Sequence, residues 1–577
     1  MLKLLSELMR IAFLMSAVQC DELTIRKTNN GPVEGIKQTS LLGKKYYAFR
    51  GIPYAEAPIT GKDPYTGAEV DRRFKAPEPL IRKWTDPLKV RNFGYNCVPS
   101  STLVGLPGNT SENCLFLNIY VPDGGAAKKT VLVYFYGGAF TEGSGHSNTY
   151  GPDFLIHPDN IVVTLNYRTG IFGFMNLGFG EYTGNMGLKD QQLAMKWIYE
   201  NIEHFSGKKD EILLFGQSAG GASVNFHMLN EESRKYFNRA FLLSSSALNY
   251  YALYEPDHLE RMQTLLKIQD KNKLIEHLKT VETESIAKII KISTFGLFRL
   301  ESPWVPTIEN SEAKRAFITK SPVDIYQSKN APVMDTMFSF TSEEYLSFNR
   351  ELASNTEPFL SGNWNESQLL LPFAGFDRET YPKEYKEAFD LLKKTYYNET
   401  SDPDVIKSQN IALLSDLNFG YGILKAVQYQ VKANNKENSK KNTFMYRFSV
   451  NGDINIFKIL LQIKSNGAAH GDEICYLFGC HAIDFINKIA LIIRNSSNVN
   501  YNTIMRLVNI VTNFARTGNP SIEGDTPFKP IPSPNEIFAQ DITNDLNTTL
   551  ISDVLQELHF DTWKQIEEMY NKIKQNA

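Results

Sequence analysis

The sequence lacks most of the features that would place it outside the ordinary globular proteins. Five cysteines are too few to scaffold a chain of 577 residues with disulfides. There is no excess of positive charge. Lys and Arg number 61 against 64 Asp and Glu, a formal net charge of −3. Proteins that hold nucleic acid carry a basic excess or a basic stripe, so a nucleic-acid partner is not expected. No apolar run reaches the roughly 18 residues that cross a bilayer, so no membrane span is expected. No internal repeat or long linker is found, and the His, Cys and carboxylate spacings match no metal-ligand set, so neither metal nor cofactor is expected. What is present is a chain of 42% hydrophobic residues, with aromatics at 12%, enough for a large packed core and too many for a disordered chain.

Residues 1–20 read as a secretory signal peptide. Lys3 and Arg10 supply basic charge, Ile11–Val18 (IAFLMSAV) is a short apolar block, and Gln19-Cys20 is a possible cut site. The alternative is an amphipathic helix that stays attached, because Glu7 and Arg10 interrupt the apolar stretch. The remainder, 21–577, reads as a single domain, secreted on the first reading and intracellular on the second. Cys97 and Cys114 bracket a loop rich in Pro, Gly, Ser and Asn, the kind of segment a disulfide pins. Cys475 and Cys480 lie in an apolar segment (EICYLFGC) and are expected to be buried free thiols. Sequons at Asn109, Asn365, Asn398, Asn495 and Asn547 lend weak support to secretion.

From Lys129 on, short β-branched and aromatic runs alternate with helical patterns. Thr130–Tyr136, Asn160–Tyr167, Ile212–Phe215, Ala240–Ser245, Pro332–Phe340 and Thr443–Val450 read as strands, with helices over Leu188–Ile202 and from Ala219. Apolar strands alternating with helices predict an α/β fold, a mostly parallel sheet covered on both faces. The charged helical stretches near 256–300 and 382–434 read as inserts over one edge of that sheet.

The strand Ile212–Phe215 runs straight into Gly216-Gln217-Ser218-Ala219-Gly220-Gly221 and then a helix. A serine between glycines at a strand–turn–helix junction is the nucleophile elbow. The turn is so sharp that the serine takes strained backbone angles, and any Cβ on Gly216 or Gly220 would clash with neighbouring elements. The hydroxyl then stands above the strand ends, beside the unpaired N–H groups of a helix N-terminus. A second glycine-rich turn, Tyr136-Gly137-Gly138-Ala139-Phe140, follows the earlier strand. The amides of Gly138, Ala139 and Ala219 are the candidate oxyanion hole, with Gly137 permitting the turn.

Five ordered blocks make the chain resemble the type-B carboxylesterases, the cholinesterase-like branch of the α/β-hydrolases. They are FRGIPYAEAP (Phe49–Pro58), SENCLFLNIYVP (Ser111–Pro122), GNMGLKDQQLAMKWIYENI (Gly184–Ile202), FGQSAGGASV (Phe215–Val224) and GAAHGDEICYLFG (Gly467–Gly479). The likeness spans residues 23 to 565, with Asn113 where the family has Asp. It implies an α/β-hydrolase fold and a triad in the order Ser, acid, His. His470 is then the base, in its glycine-rich loop, whereas His481 and His559 read as packing or helix-surface residues. Thr341-Ser342-Glu343-Glu344-Tyr345 aligns with the family's Thr-Ser-x-Glu-Gly and makes Glu344 the acid. Tyr345 in place of glycine leaves Glu343 open as an alternative. Glu473 resembles a buried supporting carboxylate, and Arg50 with Glu112 a structural ion pair.

The resemblance implies hydrolysis of small-molecule esters through an acyl-enzyme. Cholinesterases hold a quaternary ammonium on a tryptophan in the first disulfide loop. Here Val98–Asn113 has no aromatic residue, and Gln217 stands where cholinesterases carry Glu. Both differences favour neutral esters. A general carboxylesterase is the first expectation and a juvenile hormone esterase the second. The competing class is a catalytically silent relative used for binding or adhesion, which Ala139 and Tyr345 in place of glycines would suit. Nothing in the sequence sets the oligomeric state.

Overall fold

The computed structural model describes residues 23–99, 109–253, 257–289, 295–296, 299–300, 302–348, 358, 379–398, 400–436, 439–481, 498–545 and 548–576. The segment 1–20, positions 100–108 between the first two cysteines, and the sequons at Asn365, Asn495 and Asn547 lie outside those residues. Asn109 and Asn398 are exposed.

A thirteen-stranded sheet organises the chain. Its strands are β1 (Leu23–Arg26), β2 (Val33–Thr39), β3 (Lys45–Pro53), β4 (Phe116–Pro122), β5 (Lys129–Phe135), β6 (Asn160–Leu165), β7 (Gly207–Gln217), β8 (Arg239–Leu243), β9 (Asp335–Thr341), β10 (Thr443–Phe448), β11 (Ala539–Ile542) and β12 (Thr549–Ile551), with the short Leu88–Lys89 pairing beside β2. Across the sheet they run β1-β2-β3-β4-β6-β5-β7-β8-β9-β10-β11-β12. Every pair from β6 to β11 is parallel, whereas β1 to β4 and the far edge β12 pair antiparallel. β5, β6 and β9 are buried along their whole length, so both faces are covered and apolar residues fall on each of them. One row of the register runs Val163, Val133, Leu214, Ala240, Thr336 across five strands.

β7 is longer than Ile212–Phe215. Its first half carries Lys208, Lys209, Asp210 and Glu211, and Lys208 Nζ reaches Glu211 at 2.8 Å. Apolarity reveals only the half that is buried.

Helices cover both faces. Those that bear on the site are α1 (Met186–Asn201), α2 (Ala219–Leu229), α3 (Pro382–Tyr396), α4 (Pro403–Ser415) and α5 (Tyr421–Asn434), with α6 (Val499–Thr517) and α7 (Phe560–Asn576) near the C-terminus. The stretch 382–434 does not simply cap an edge as expected. α5 packs on β9 and β10, and Asn434 clamps the start of β9 by accepting from Met334 N–H at 3.1 Å and donating to its carbonyl at 2.9 Å. The wholly buried β9 requires such a cover. Among the described residues no helix is long and apolar enough to cross a membrane.

The chain leaves β5 toward β6 on one side, while β7, on β5's other side, leads on to β8. At such a reversal the connections diverge and leave a crevice above the carboxyl ends of the strands, where ligands bind in open α/β sheets. The two glycine turns follow β5 and β7 and therefore flank that crevice.

Candidate active site

Ser218 stands between β7 and α2 at φ 57°, ψ −128°. A non-glycine residue there stores on the order of 1–3 kcal/mol of strain, which the surroundings must hold. They do so through Ser218 N–H, which donates to the Leu243 carbonyl at 2.9 Å, and the Ser218 carbonyl, which accepts from Ala222 N–H at 2.9 Å. The flanking glycines are required by space. A Cβ on Gly216 would lie 2.6 Å from the Gly220 carbonyl, and one on Gly220 would lie 2.1 Å from the carbonyl oxygen of Phe135 at the end of β5.

The turn after β5 is strained in the same way. Gly138 has φ 115°, and Ala139 and Phe140 follow at 53° and 61°, so two residues with side chains sit in the left-handed region. The Gly138 carbonyl locks them by accepting from Thr141 N–H at 2.9 Å and Glu142 N–H at 3.2 Å, while the Phe140 carbonyl accepts from Gly170 N–H at 2.6 Å. The buried Phe140 ring packs edge-on against Phe174. At the base, Tyr136 and Tyr167 stack with centroids 4.2 Å apart, each hydroxyl donating to the other's carbonyl. The next residue, Arg168, forms a buried ion pair with Asp190 of α1 at 2.7 Å.

The base and acid arrive on two loops that are zipped together. Glu344 opens a single 3₁₀ turn, Glu344–Ser347, directly after β9. Its neighbour Glu343 donates its N–H to the Ala468 carbonyl at 2.9 Å, Ala468 N–H donates to Ser342 Oγ at 2.9 Å, and Ser347 Oγ–H donates to the His470 carbonyl at 2.8 Å. His470 Nδ1–H then meets Glu344 Oε2 at 2.5 Å, and the other carboxylate oxygen accepts from Thr341 N–H at 2.7 Å. All three groups are buried. Glu343 faces away and accepts from Ser465 Oγ. Asp472 ties the far side of the histidine loop, accepting from Ala469 N–H, Phe457 N–H and Asn455 Nδ2, and burial raises its carboxyl to about 6. Glu473 is fully buried, and burial first and Glu344 second push its carboxyl well above the usual range, favouring the neutral form. His481 and His559 pair with Asp153 and Asp416, each at 2.9 Å.

Because Nδ1 gives its proton to Glu344, Nε2 carries the lone pair. Its hydrogen-bond partner among the described residues is the side-chain amide of Gln217, which donates from Nε2 at 3.0 Å. In the sequence Gln217 stands out only as a missing charge. Position 217 immediately precedes the elbow serine, which is the one signal that points to this contact. Phe419 and Phe348 flank the imidazole at centroid distances of 4.5 and 5.3 Å, and nothing in the sequence assigns them there. Phe419 lies in a π-turn, Asp416–Gly420, joining α4 to α5, a wide turn that periodicity does not reveal.

Two expectations are corrected. Cys475 and Cys480 are not free thiols but form a buried disulfide, their Cα atoms 5.3 Å apart. Cys475 lies on the short helix Ile474–Leu477, and the chain turns back at Gly479, whose N–H donates to Gly151, bringing the two sulfurs together. The other disulfide joins Cys97 to Cys114 as expected. Glu112 does not pair with Arg50. Its carboxylate holds Arg73 at 2.6 Å, while Arg50, on the strand beside β2, turns to Gln38 and lies over the Phe93 ring.

The sequence profile of the carboxylesterase family matches residues 22–563. Venom carboxylesterase-6 of Apis mellifera is 30% identical over 539 residues, 91% of either chain. Esterase B1 of Culex pipiens is 29% identical over 538 residues, 88% of this chain and 92% of that one. The crystal structure of juvenile hormone esterase from Manduca sexta, with OTFP covalently attached, superposes with a TM-score of 0.78 over 95% of this chain and all of its own, and at 23% identity it shares the fold. A profile match over nearly the whole length shows that the chain belongs to the carboxylesterase family.

Proposed function

We propose that this carboxylic ester hydrolase cleaves neutral esters through an acyl-enzyme on Ser218, with His470 as base, Glu344 as the acid that orients it, and the amides of Gly138, Ala139 and Ala219 as the oxyanion hole. The observation that carries the reading is the convergence above one pair of strand ends. A serine held at φ 57° follows β7, a glycine turn follows β5, and an imidazole whose proton is fixed on Nδ1 by Glu344 is buried beside them.

Each half-reaction balances around the imidazole. His470 Nε2 takes the hydroxyl proton as Ser218 Oγ bonds to the ester carbon, and the carbonyl electron pair moves to oxygen, facing the three amides. Collapse expels the alkoxide, which leaves as alcohol with the proton from Nε2. Water then repeats the sequence on the acyl-enzyme and releases the acid, restoring Ser218. Glu344 fixes the tautomer and stabilises the imidazolium formed between the steps.

The choice of neutral esters rests on what surrounds the imidazole. The Gln217 amide lies against it, so position 217 offers no carboxylate to draw in a cation. The two disulfides also support work in an oxidising compartment, in keeping with secretion.

Fluorophosphonate labelling tests the reading. We expect the wild type to be labelled covalently and Ser218→Ala not at all. Turnover of a short aryl ester should exceed that of the matching choline ester. A folded wild type that takes no label would overturn the assignment.

A further inference from the structure

Gln217 lies where the nucleophile, the turn after β5 and the histidine loop meet. It is buried and directly precedes the nucleophile. Its Oε1 lies so close to the turn after β5 that a Cβ on Gly137 would come within 2.8 Å, and its Nε2 would lie 3.3 Å from a Cβ on Gly471 beside the base. Both neighbours are glycines, and each leaves room for this side chain. The amide then donates to His470 Nε2 at 3.0 Å. An sp² ring nitrogen has one lone pair, directed in the ring plane, and accepts one good hydrogen bond. In this arrangement that lone pair is occupied by an amide that has no proton to lose in catalysis.

We propose that Gln217 is a positioning residue that latches the base in the ligand-free enzyme, and that Ser218 gains His470 Nε2 only when the Gln217 amide gives it up. The proposal rests on the assignment of Ser218 and His470 above. It carries a chemical corollary for position 217. An amide can donate to a neutral imidazole and holds it unprotonated and ready. A carboxylate can only accept, so it would favour a proton on Nε2 and raise the pH at which the base becomes free. The charged groups facing the ring are few. Glu344 sits on Nδ1, and Asp472 and Glu473 lie further along its own loop, Asp472 near Lys458. The aromatic elements packed on the ring, Phe348 and Phe419, carry no charge. A charge placed at 217 should therefore register strongly.

The test measures the second-order rate of phosphonylation by a fluorophosphonate, and the pH profile of kcat/KM for an aryl ester, in wild type, Gln217→Met and Gln217→Glu. Methionine keeps the length and apolar bulk but donates nothing. Freeing Nε2 removes one ordinary hydrogen bond, and phosphonylation should accelerate by about threefold to tenfold. The Gln217→Glu variant, nearly isosteric with the native amide, should move the acid limb of the profile upward by about one pH unit or more, and activity should recover at alkaline pH. If Gln217→Met is not faster and Gln217→Glu leaves the acid limb in place, the latch is refuted and Gln217 merely packs. Should the methionine variant fail to fold, judged by circular dichroism, the Gln217→Glu profile decides alone. A wild type that does not label condemns the esterase assignment instead, so the two failures are distinct.

Discussion

Replacing Glu344 by glutamine changes one atom and puts the proposed tautomer control to a direct test. The native carboxylate accepts twice, from His470 Nδ1–H at 2.5 Å and from Thr341 N–H at 2.7 Å. A glutamine has one acceptor and one donor end. The Thr341 amide is a backbone donor fixed at the end of β9, so the glutamine oxygen must stay with it or leave a buried N–H unsatisfied. The NH₂ end then faces Nδ1, which can accept only by shedding its proton. The ring flips to the tautomer protonated on Nε2, and the nitrogen facing the nucleophile has nothing left with which to take a proton. In a triad of the same logic the equivalent swap lowers turnover by about 10⁴, or about 5.5 kcal/mol of transition-state stabilisation.

The assay is kcat for a short aryl ester, run beside Glu343→Gln as control. Glu343 accepts from Ser465 Oγ and does not reach the imidazole, so its variant should keep kcat within about threefold. Glu344→Gln should retain its melting temperature, because shape and volume are unchanged, while losing most of its turnover. A Glu344→Gln enzyme within tenfold of wild type, or a larger loss in Glu343→Gln, would refute the argument and assign the acid role elsewhere.

Gly220→Ala brings a Cβ to 2.1 Å from Phe135 O and 2.7 Å from Tyr136 O, contacts that real Cβ atoms do not make, so α2 must move and carry Ser218 with it. A displacement of about 1 Å costs on the order of 10² in turnover, and a variant labelled by fluorophosphonate at the wild-type rate would contradict this. Acid should destabilise the protein through His258, whose ring is pushed down to about 4 by burial first, outweighing its hydrogen bond to the Pro303 carbonyl. The folded state binds that proton more weakly than the unfolded chain, so the stability is complete above about pH 6.5 and is lost as pH falls toward 4, amounting to about 3 kcal/mol. The gap in unfolding free energy between wild type and His258→Gln should shrink by that amount between pH 7 and pH 4, and a constant gap would disprove it.

How far the site is legible in the sequence depends on the range of the forces involved. The elbow and the turn after β5 are local. Close backbone approach demands glycine at Gly216 and Gly220, a left-handed angle demands it at Gly138, and both demands are written in the residues themselves. The parallel core is legible because wholly buried strands such as β5 and β6 carry consecutive apolar residues, Val131–Phe135 and Ile161–Val163, that cover both faces. What periodicity cannot carry is a contact set by where the chain turns in three dimensions. Gln217 meets His470 across 253 positions, Phe419 reaches the imidazole through a π-turn, and Cys475 finds Cys480 because the chain reverses between them. The expected pairing of Arg50 with Glu112 fails likewise, because the fold sets Arg73 on that carboxylate at 2.6 Å.

The two departures from glycine that suggest a silent relative show why a residue must be weighed on its backbone and not on its family position. Tyr345 carries no left-handed strain. It lies in the 3₁₀ turn after Glu344, has no positive φ, and buries its ring completely beside Phe348, so glycine would gain nothing there. Ala139 is different, because at φ 53° its Cβ costs about 1–2 kcal/mol. That strain does not displace the turn. The Gly138 and Phe140 carbonyls and the Phe140–Phe174 contact hold the turn where it is. An alanine methyl points away from its own N–H, which is the group an oxyanion needs. Neither substitution therefore removes a donor, an acceptor or a proton carrier, and the case for silence reduces to a stability cost that the fold already bears.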